Sequence, residues 1–131
     1  MNTKNSNHIS IGKLGEKIAY MYLQKKGYKI IVQNYRCRSG EIDIVALSPK
    51  RTISFVEVKC RVGTGHGYPY EAVTYGKQKR LMSAIQLYIL QNKLHESKLS
   101  IEVISIILNP DKSISEIKHF DDLGMGLQET M

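Results

Sequence analysis

The sequence predicts a single α/β (α+β) domain with the order helix, three strands, helix, strand and a short closing strand. Three observations predict it. Apolar residues recur at three- and four-residue spacing before Gly27 and again after Thr74, the signature of two helices. Alternating or continuous apolar runs fill the stretches between and after them, the signature of strands. Turn residues separate the runs, as in Ser48-Pro49-Lys50-Arg51 and Asn109-Pro110-Asp111-Lys112. A length of 131 residues fits one domain, 1–131, with a core of its own. Its ends, 1–9 and 121–131, read as flexible tails.

The first helix is expected from Ser10 to Lys26. Ile11, Leu14, Ile18 and Tyr22, with Ala19 and Met21 beside them, form its apolar stripe. Ser10 can cap its start, and Gly27 can end it in a left-handed conformation. Glu16 sits one turn in, flanked by Lys13 and Lys17. Taken alone, that is a surface salt bridge of little consequence. Tyr28 to Tyr35 reads as the first strand and Asn34 to Gly40 as a basic turn carrying Arg36 and Arg38. Glu41 to Leu47 is the second strand and Thr52 to Cys60 the third.

Val62 to Tyr70 is a loop with Gly63, Gly65 and Gly67, and it lacks the lysine and hydroxyl of a nucleotide-hydrolase phosphate loop. It reads equally as a substrate-facing loop or a plain connector, with His66 exposed to solvent. Thr74 can cap a second helix reaching about Asn92, with Leu81, Ala84, Ile85, Tyr88 and Ile89 buried. Lys93 to Lys98 is a linker, Leu99 to Leu108 a buried strand, and Ser113 to His119 a short edge strand.

The charge is +7 and uneven. Residues 1–62 hold twelve Lys/Arg against four Asp/Glu, and residues 63–131 hold seven against eight. A basic half points to a polyanionic partner, most often nucleic acid. No apolar run is long enough for a membrane span or placed as a secretion signal, so a cytoplasmic protein without a membrane partner is expected. Two cysteines, Cys37 and Cys60, give no disulfide framework.

The acids of the basic half are Glu16, Glu41, Asp43 and Glu57 alone. Period two puts Glu41 and Asp43 on one face of their strand and Ile42 and Ile44 on the other, and it pairs Glu57 with Lys59. A hairpin symmetric about Lys50 sets Asp43 opposite Glu57 and Glu41 opposite Lys59. Facing carboxylates repel unless neutralised. A divalent cation such as Mg²⁺ would do so; Lys59 in a purely structural cluster would also do so. The second helix begins with Lys77, Lys79 and Arg80, where the backbone already carries partial positive charge, an arrangement suited to phosphate.

Glu16, Gly40-Glu41-Ile42-Asp43 and Glu57-Val58-Lys59, in this order of elements, resemble the core of the PD-(D/E)-x-K nucleases. Within that superfamily the chain is most similar to the YraN-like family of predicted nucleases, related to archaeal Holliday-junction resolvases. Gly15-Glu16 with Ala19 and Leu23, Gly27-Tyr28, Asn34-Tyr35-Arg36, Phe55 to Arg61, and Glu71-Ala72-Val73 followed by Lys77 carry the closer match. Where that family has a Phe-Asp pair after the second helix, this chain has Ile101-Glu102, without the preceding basic residue.

The resemblance implies a restriction-endonuclease-like core, a mixed sheet flanked by helices. It also implies a Mg²⁺- (or Mn²⁺-) dependent endodeoxyribonuclease that favours branched or single-stranded DNA. Asp43 and Glu57 would hold the ion, Glu16 would complete its shell, and Lys59 would act on the attacking water. Glu41 would support Lys59 from behind. Arg36, Arg38, Arg61, Lys77 and Arg80 would contact phosphates, and a homodimer would suit a resolvase relative. Two rivals stand beside this expectation: a nucleic-acid-binding module without catalysis, and a basic protein-interaction domain.

Overall fold

The computed structural model describes residues 9–65, 67–72 and 75–121. The expected Thr74 cap, His66 and most of both tails lie outside these residues. Helix α1 (Ile11–Lys25) leads to β1 (Lys29–Cys37), β2 (Gly40–Leu47) and β3 (Ile53–Val62). A short 3-10 helix (Pro69–Ala72) and α2 (Tyr75–Gln91) follow, then β4 (Leu99–Leu108) and β5 (Ile114–Phe120). The predicted order of elements and the α+β class are those observed. No helix among the described residues is long and apolar enough to cross a membrane.

Local chemistry explains the boundaries of α1. Ser10 Oγ accepts from the Lys13 N–H at 3.1 Å. At the other end Gly27, with φ +92°, lets the Tyr28 N–H reach the Leu23 carbonyl and the Gly27 N–H reach that of Gln24. Strand β1 runs further than expected. The predicted basic turn is reduced to Arg38-Ser39, because Arg36 and Cys37 pair with Glu41 and Gly40.

The sheet has the order β1-β2-β3-β4-β5. All neighbours are antiparallel except β3 and β4, which run parallel from Ile53↔Leu99 to Val62↔Leu108. Parallel neighbours require a crossover, and the 3-10 helix with α2 supplies it. Both sheet faces are therefore covered. Helix α1 closes one with Ala19, Leu23, Ile44, Ala46, Val56, Val58, Ile104, Ile106 and Leu108. Helix α2 closes the other with Ile42, Val45, Phe55, Leu81, Ala84, Ile85 and Ile101.

One expectation of strand geometry fails. Ile42 and Ile44 do not share a face: Ile44 packs under α1 and Ile42, with Val45, under α2. The β1–β2 ladder passes from Gln33↔Ile44 to Tyr35↔Ile42 and skips the pair between them, Asn34 and Asp43. Asn34 has φ +54°, the left-handed region that asparagine tolerates better than most residues. Both strands change face at this point, since Val32 and Tyr35 also lie together on the α2 side. The break in alternation falls on the aspartate that the sequence singles out.

Two glycines set how closely the helices approach. A Cβ at Gly15 would overlap the Cys60 side chain, so α1 lies directly on β3. A Cβ at Gly40 would collide with the Arg80 carbonyl, so α2 lies on the start of β2.

Candidate active site

The expected hairpin register holds for Ile44↔Val56, Val45↔Phe55, Ala46↔Ser54 and Leu47↔Ile53, and then the ladder ends. The next pair would be Asp43 and Glu57. Instead of continuing the backbone pairing, Asp43 Oδ2 accepts from the Val58 N–H at 2.8 Å. A side chain thus replaces a carbonyl as the acceptor, and β2 and β3 separate at the carboxylates.

Burial pushes the Asp43 carboxyl up to about 7, helped by the negative charges of Glu57 and Glu16. The Val58 N–H and the Lys59 charge oppose the rise without cancelling it. The charge of Glu16 is thus felt at Asp43 from α1, where Gly15 lets the helix lie on β3. Lys59 Nζ pairs with Glu57 Oε2 at 3.1 Å, both side chains being largely covered at 23% and 13% exposure. Lys77, from the first turn of α2, joins them. The charge of Lys59, then burial, lowers its pKa, and Arg61 contributes in the same direction.

The structure thus groups Asp43, Glu57, Lys59, Arg61 and Lys77, with Glu16 acting on Asp43 through its charge. Glu41 stands apart. Its ion pair is with Arg36 at 3.5 Å, across the β1–β2 ladder and open to solvent. The expected pairing with Lys59 does not form, because the β2–β3 ladder stops before reaching it. Arg80 lies by Cys37 and Gly40 at the β1–β2 turn. Cys60 is a packing residue whose thiol burial pushes up to about 11. Among the described residues no three His, Cys, Asp or Glu side chains converge to hold a metal ion.

Glu102 is buried away from these groups. Its Oε1 accepts from the Tyr28 hydroxyl at 3.0 Å and lies 2.7 Å from His119 Nε2. Burial raises its carboxyl, but the His119 contact and the other bonds outweigh that and leave it below the usual range. The acid at this place in the chain serves the join between α1, β4 and β5.

The sequence reading passed over a set of residues on the site's own sheet face. Glu57 aligns with Val103 and Phe120, and Lys59 with Ser105 and Lys118, across β3, β4 and β5. Tyr68 and Tyr70 lie against this row. The flanking of Pro69 by two tyrosines was the only signal available in the sequence.

Residues 15–106 match a family model described as an uncharacterised protein family, UPF0102. A UPF0102 protein of Caldanaerobacter subterraneus is 41% identical over 117 residues, 88% of this chain and 95% of that protein. One from Clostridium tetani is 44% identical over 117 residues, 87% of this chain and 95% of its own. One from Syntrophotalea carbinolica is 42% identical over 112 residues, 86% and 89% of the two chains.

Proposed function

This chain belongs to the UPF0102 family, the YraN-like group that its motifs resemble, and we propose that it is a metal-dependent nuclease hydrolysing DNA phosphodiester bonds. One observation carries the reading. Where β2 and β3 part, Asp43 and Glu57 meet beside Lys59, with Glu16 arriving from α1 and Arg61 and Lys77 alongside.

The donor set fits Mg²⁺ or Mn²⁺. Such ions keep several waters and are held by one or two carboxylates together with substrate phosphate, not by an all-protein cage. Carboxylate oxygens are donors for a hard cation, whereas a structural zinc site draws on thiolates and imidazoles. Asp43 and Glu57 would hold the ion, and Glu16 would complete its shell. When bound, the ion would polarise a phosphate oxygen and lower the pKa of the attacking water.

The chain's own groups do the rest. Asp43 is fixed in aim by the Val58 N–H. Lys59 neutralises Glu57, and on substrate binding its ammonium can orient the water or stabilise developing negative charge. Arg61 and Lys77 would meet the phosphate beside the site, and Arg36, Arg38 and Arg80 the backbone further along. Contacts of this kind position DNA without reading its sequence.

The test is to incubate the protein with labelled duplex, single-stranded and four-way-junction DNA in Mg²⁺, Mn²⁺ or chelator, beside Asp43→Ala. Metal-dependent cleavage that the variant loses supports the enzyme. Salt-sensitive binding without cleavage would establish a binding module instead. No binding to any nucleic acid would overturn both readings.

A further inference from the structure

The 3-10 helix after the glycine-rich loop packs on β3 and β4, and an exposed aromatic side chain, Tyr68, immediately precedes it. Pro69 is fully buried beneath it, yet Tyr68 next to it is 40% exposed. Glu71 Oε1 accepts from the Tyr68 N–H at 2.8 Å, and the Glu71 N–H donates to the Tyr68 carbonyl at 3.0 Å. Gly67, at φ +93°, leaves room for that carboxylate. The turn is therefore built to hold Tyr68 outward.

Tyr68 stacks on Tyr70, with centroids 5.5 Å apart and planes 17° from parallel. Tyr70 is in turn set edge-on to Phe120 at 5.1 Å. Lys118 Nζ lies 5.4 Å from the Tyr68 ring and 5.7 Å from that of Tyr70, with Glu116 Oε2 at 3.7 Å. Register relates the strand residues of this group to the site. Lys118 shares a sheet row with Ser105 and Lys59, and Phe120 one with Val103 and Glu57. Strand spacing of about 4.8 Å puts the backbones of Lys118 and Phe120 roughly 10 Å from those of Lys59 and Glu57 on the same face, with Tyr68 and Tyr70 packed on Lys118 and Phe120.

We infer that Tyr68 and Tyr70, with Lys118, form a stacking platform for an unpaired base of the strand whose phosphate lies at the Asp43–Glu57–Lys59 site. The inference rests on the nuclease reading for the strand's position and adds the substrate's character: single-stranded, or unpaired beside a branch. Every base has a face that a tyrosine can stack on, so the platform selects unpaired geometry and not sequence. A base held inside a duplex could not reach it. Lys118 supplies the positive charge that follows the backbone past the stacked base.

The experiment measures binding in chelator, so cleavage plays no part. Fluorescence anisotropy compares a short single-stranded oligonucleotide, the same strand carrying abasic positions, and a duplex. The proteins are the native chain, Tyr68→Ala and Tyr68→Phe. Loss of one stacked base should weaken single-strand binding by Tyr68→Ala about 5- to 150-fold, while Tyr68→Phe stays near native. The native chain should lose affinity for the abasic strand and Tyr68→Ala should lose little more. Lys118→Gln should lower the slope of log affinity against log salt by roughly one phosphate contact. The chain has no tryptophan, so Tyr68→Trp adds a direct reporter whose fluorescence should be quenched by the single strand.

Equal single-strand affinity in native and Tyr68→Ala protein overturns the platform and leaves the nuclease reading standing. Equal weakening on duplex and single strand overturns it too, since that is a fold or phosphate effect. No nucleic-acid binding by the native chain removes the nuclease reading and the platform together.

Discussion

The Asp43 carboxylate accepts a 2.8 Å hydrogen bond from the backbone N–H of Val58, across the point where β2 and β3 stop pairing. An aspartate both ends a strand pair and is aimed by it. Asparagine can accept the same bond, and alanine cannot. If the protein is the nuclease proposed above, Asp43→Asn and Asp43→Ala should each lower metal-dependent cleavage about 100-fold, through loss of the ionised carboxylate proposed to hold the ion. Only Asp43→Ala should also lower the melting temperature, because it leaves the Val58 N–H without its acceptor. Equal melting of the two variants would break this account of the bond.

The raised Asp43 pKa makes metal-free stability depend on pH with a defined sign. Its usual value is 3.8 and its folded value about 7. The protonated form is favoured by the fold, so its contribution is complete below about pH 4 and is lost as pH rises through 7. In chelator, the melting-temperature advantage of Asp43→Asn over the native chain should widen from pH 4 and level off above about 7. Mg²⁺ should raise the native melting temperature at pH 8 and leave that of Asp43→Ala unchanged. A pH-independent difference between variant and native protein would contradict the burial and charge argument.

Lys59 balances Glu57 in a mostly covered ion pair. Lys59→Gln should reduce the rate of cleavage about 10²- to 10³-fold while changing DNA affinity little, since charge stabilisation acts at the reaction and not on binding. Single-turnover kinetics separate the two. A loss confined to affinity would reassign Lys59 to phosphate binding.

Glu102 serves the fold. Glu102→Ala strands Tyr28 and His119 and should cost about 3 kcal/mol, lowering the melting temperature by about 10 °C. Its depressed pKa means this contribution is present at neutral pH and fades only as pH falls below the usual 4.5. Cleavage per folded molecule should not change, which active-site titration of the variant at low temperature can check.

Gly12 and Gly15, four residues and one residue before Glu16, should respond to substitution in opposite directions. Nothing lies within 4 Å of a Cβ placed on Gly12, so Gly12→Ala should stabilise α1 by up to about 1 kcal/mol. Gly15→Ala meets Cys60 and should destabilise by about 1–3 kcal/mol while moving Glu16 off the site. Chemical denaturation of both variants tests the pair.

The helices, the strand order along the chain and the charged hairpin could be read from residues because their causes are local. Ser10 and Gly27 bound α1 as expected, and the turn at Ser48 to Thr52 fixed the β2–β3 register about Lys50. What was missed has distant causes. Ile42 and Ile44 diverge because Asn34, on another strand, takes a left-handed turn opposite Asp43. Glu41 pairs with Arg36 because the neighbouring ladder stops early. Tyr28, Glu102 and His119 meet only once β4 and β5 are added to the sheet, and Tyr70 meets Phe120 for the same reason.

The parallel pairing of β3 with β4 has a consequence for how the chain is made. As synthesis proceeds, Asp43, Glu57 and Lys59 emerge early, on a three-stranded antiparallel unit that local turns can form. The far edge of β3 then waits unpaired, and Phe55 waits uncovered on the face that α2 will close, until the crossover and β4 have left the ribosome. Non-local parallel pairing is slow to form, and an unpaired apolar edge invites another chain. The nascent N-terminal half therefore exposes an unpaired strand edge for as long as the crossover and β4 take to be made, the kind of edge that pairs with other chains.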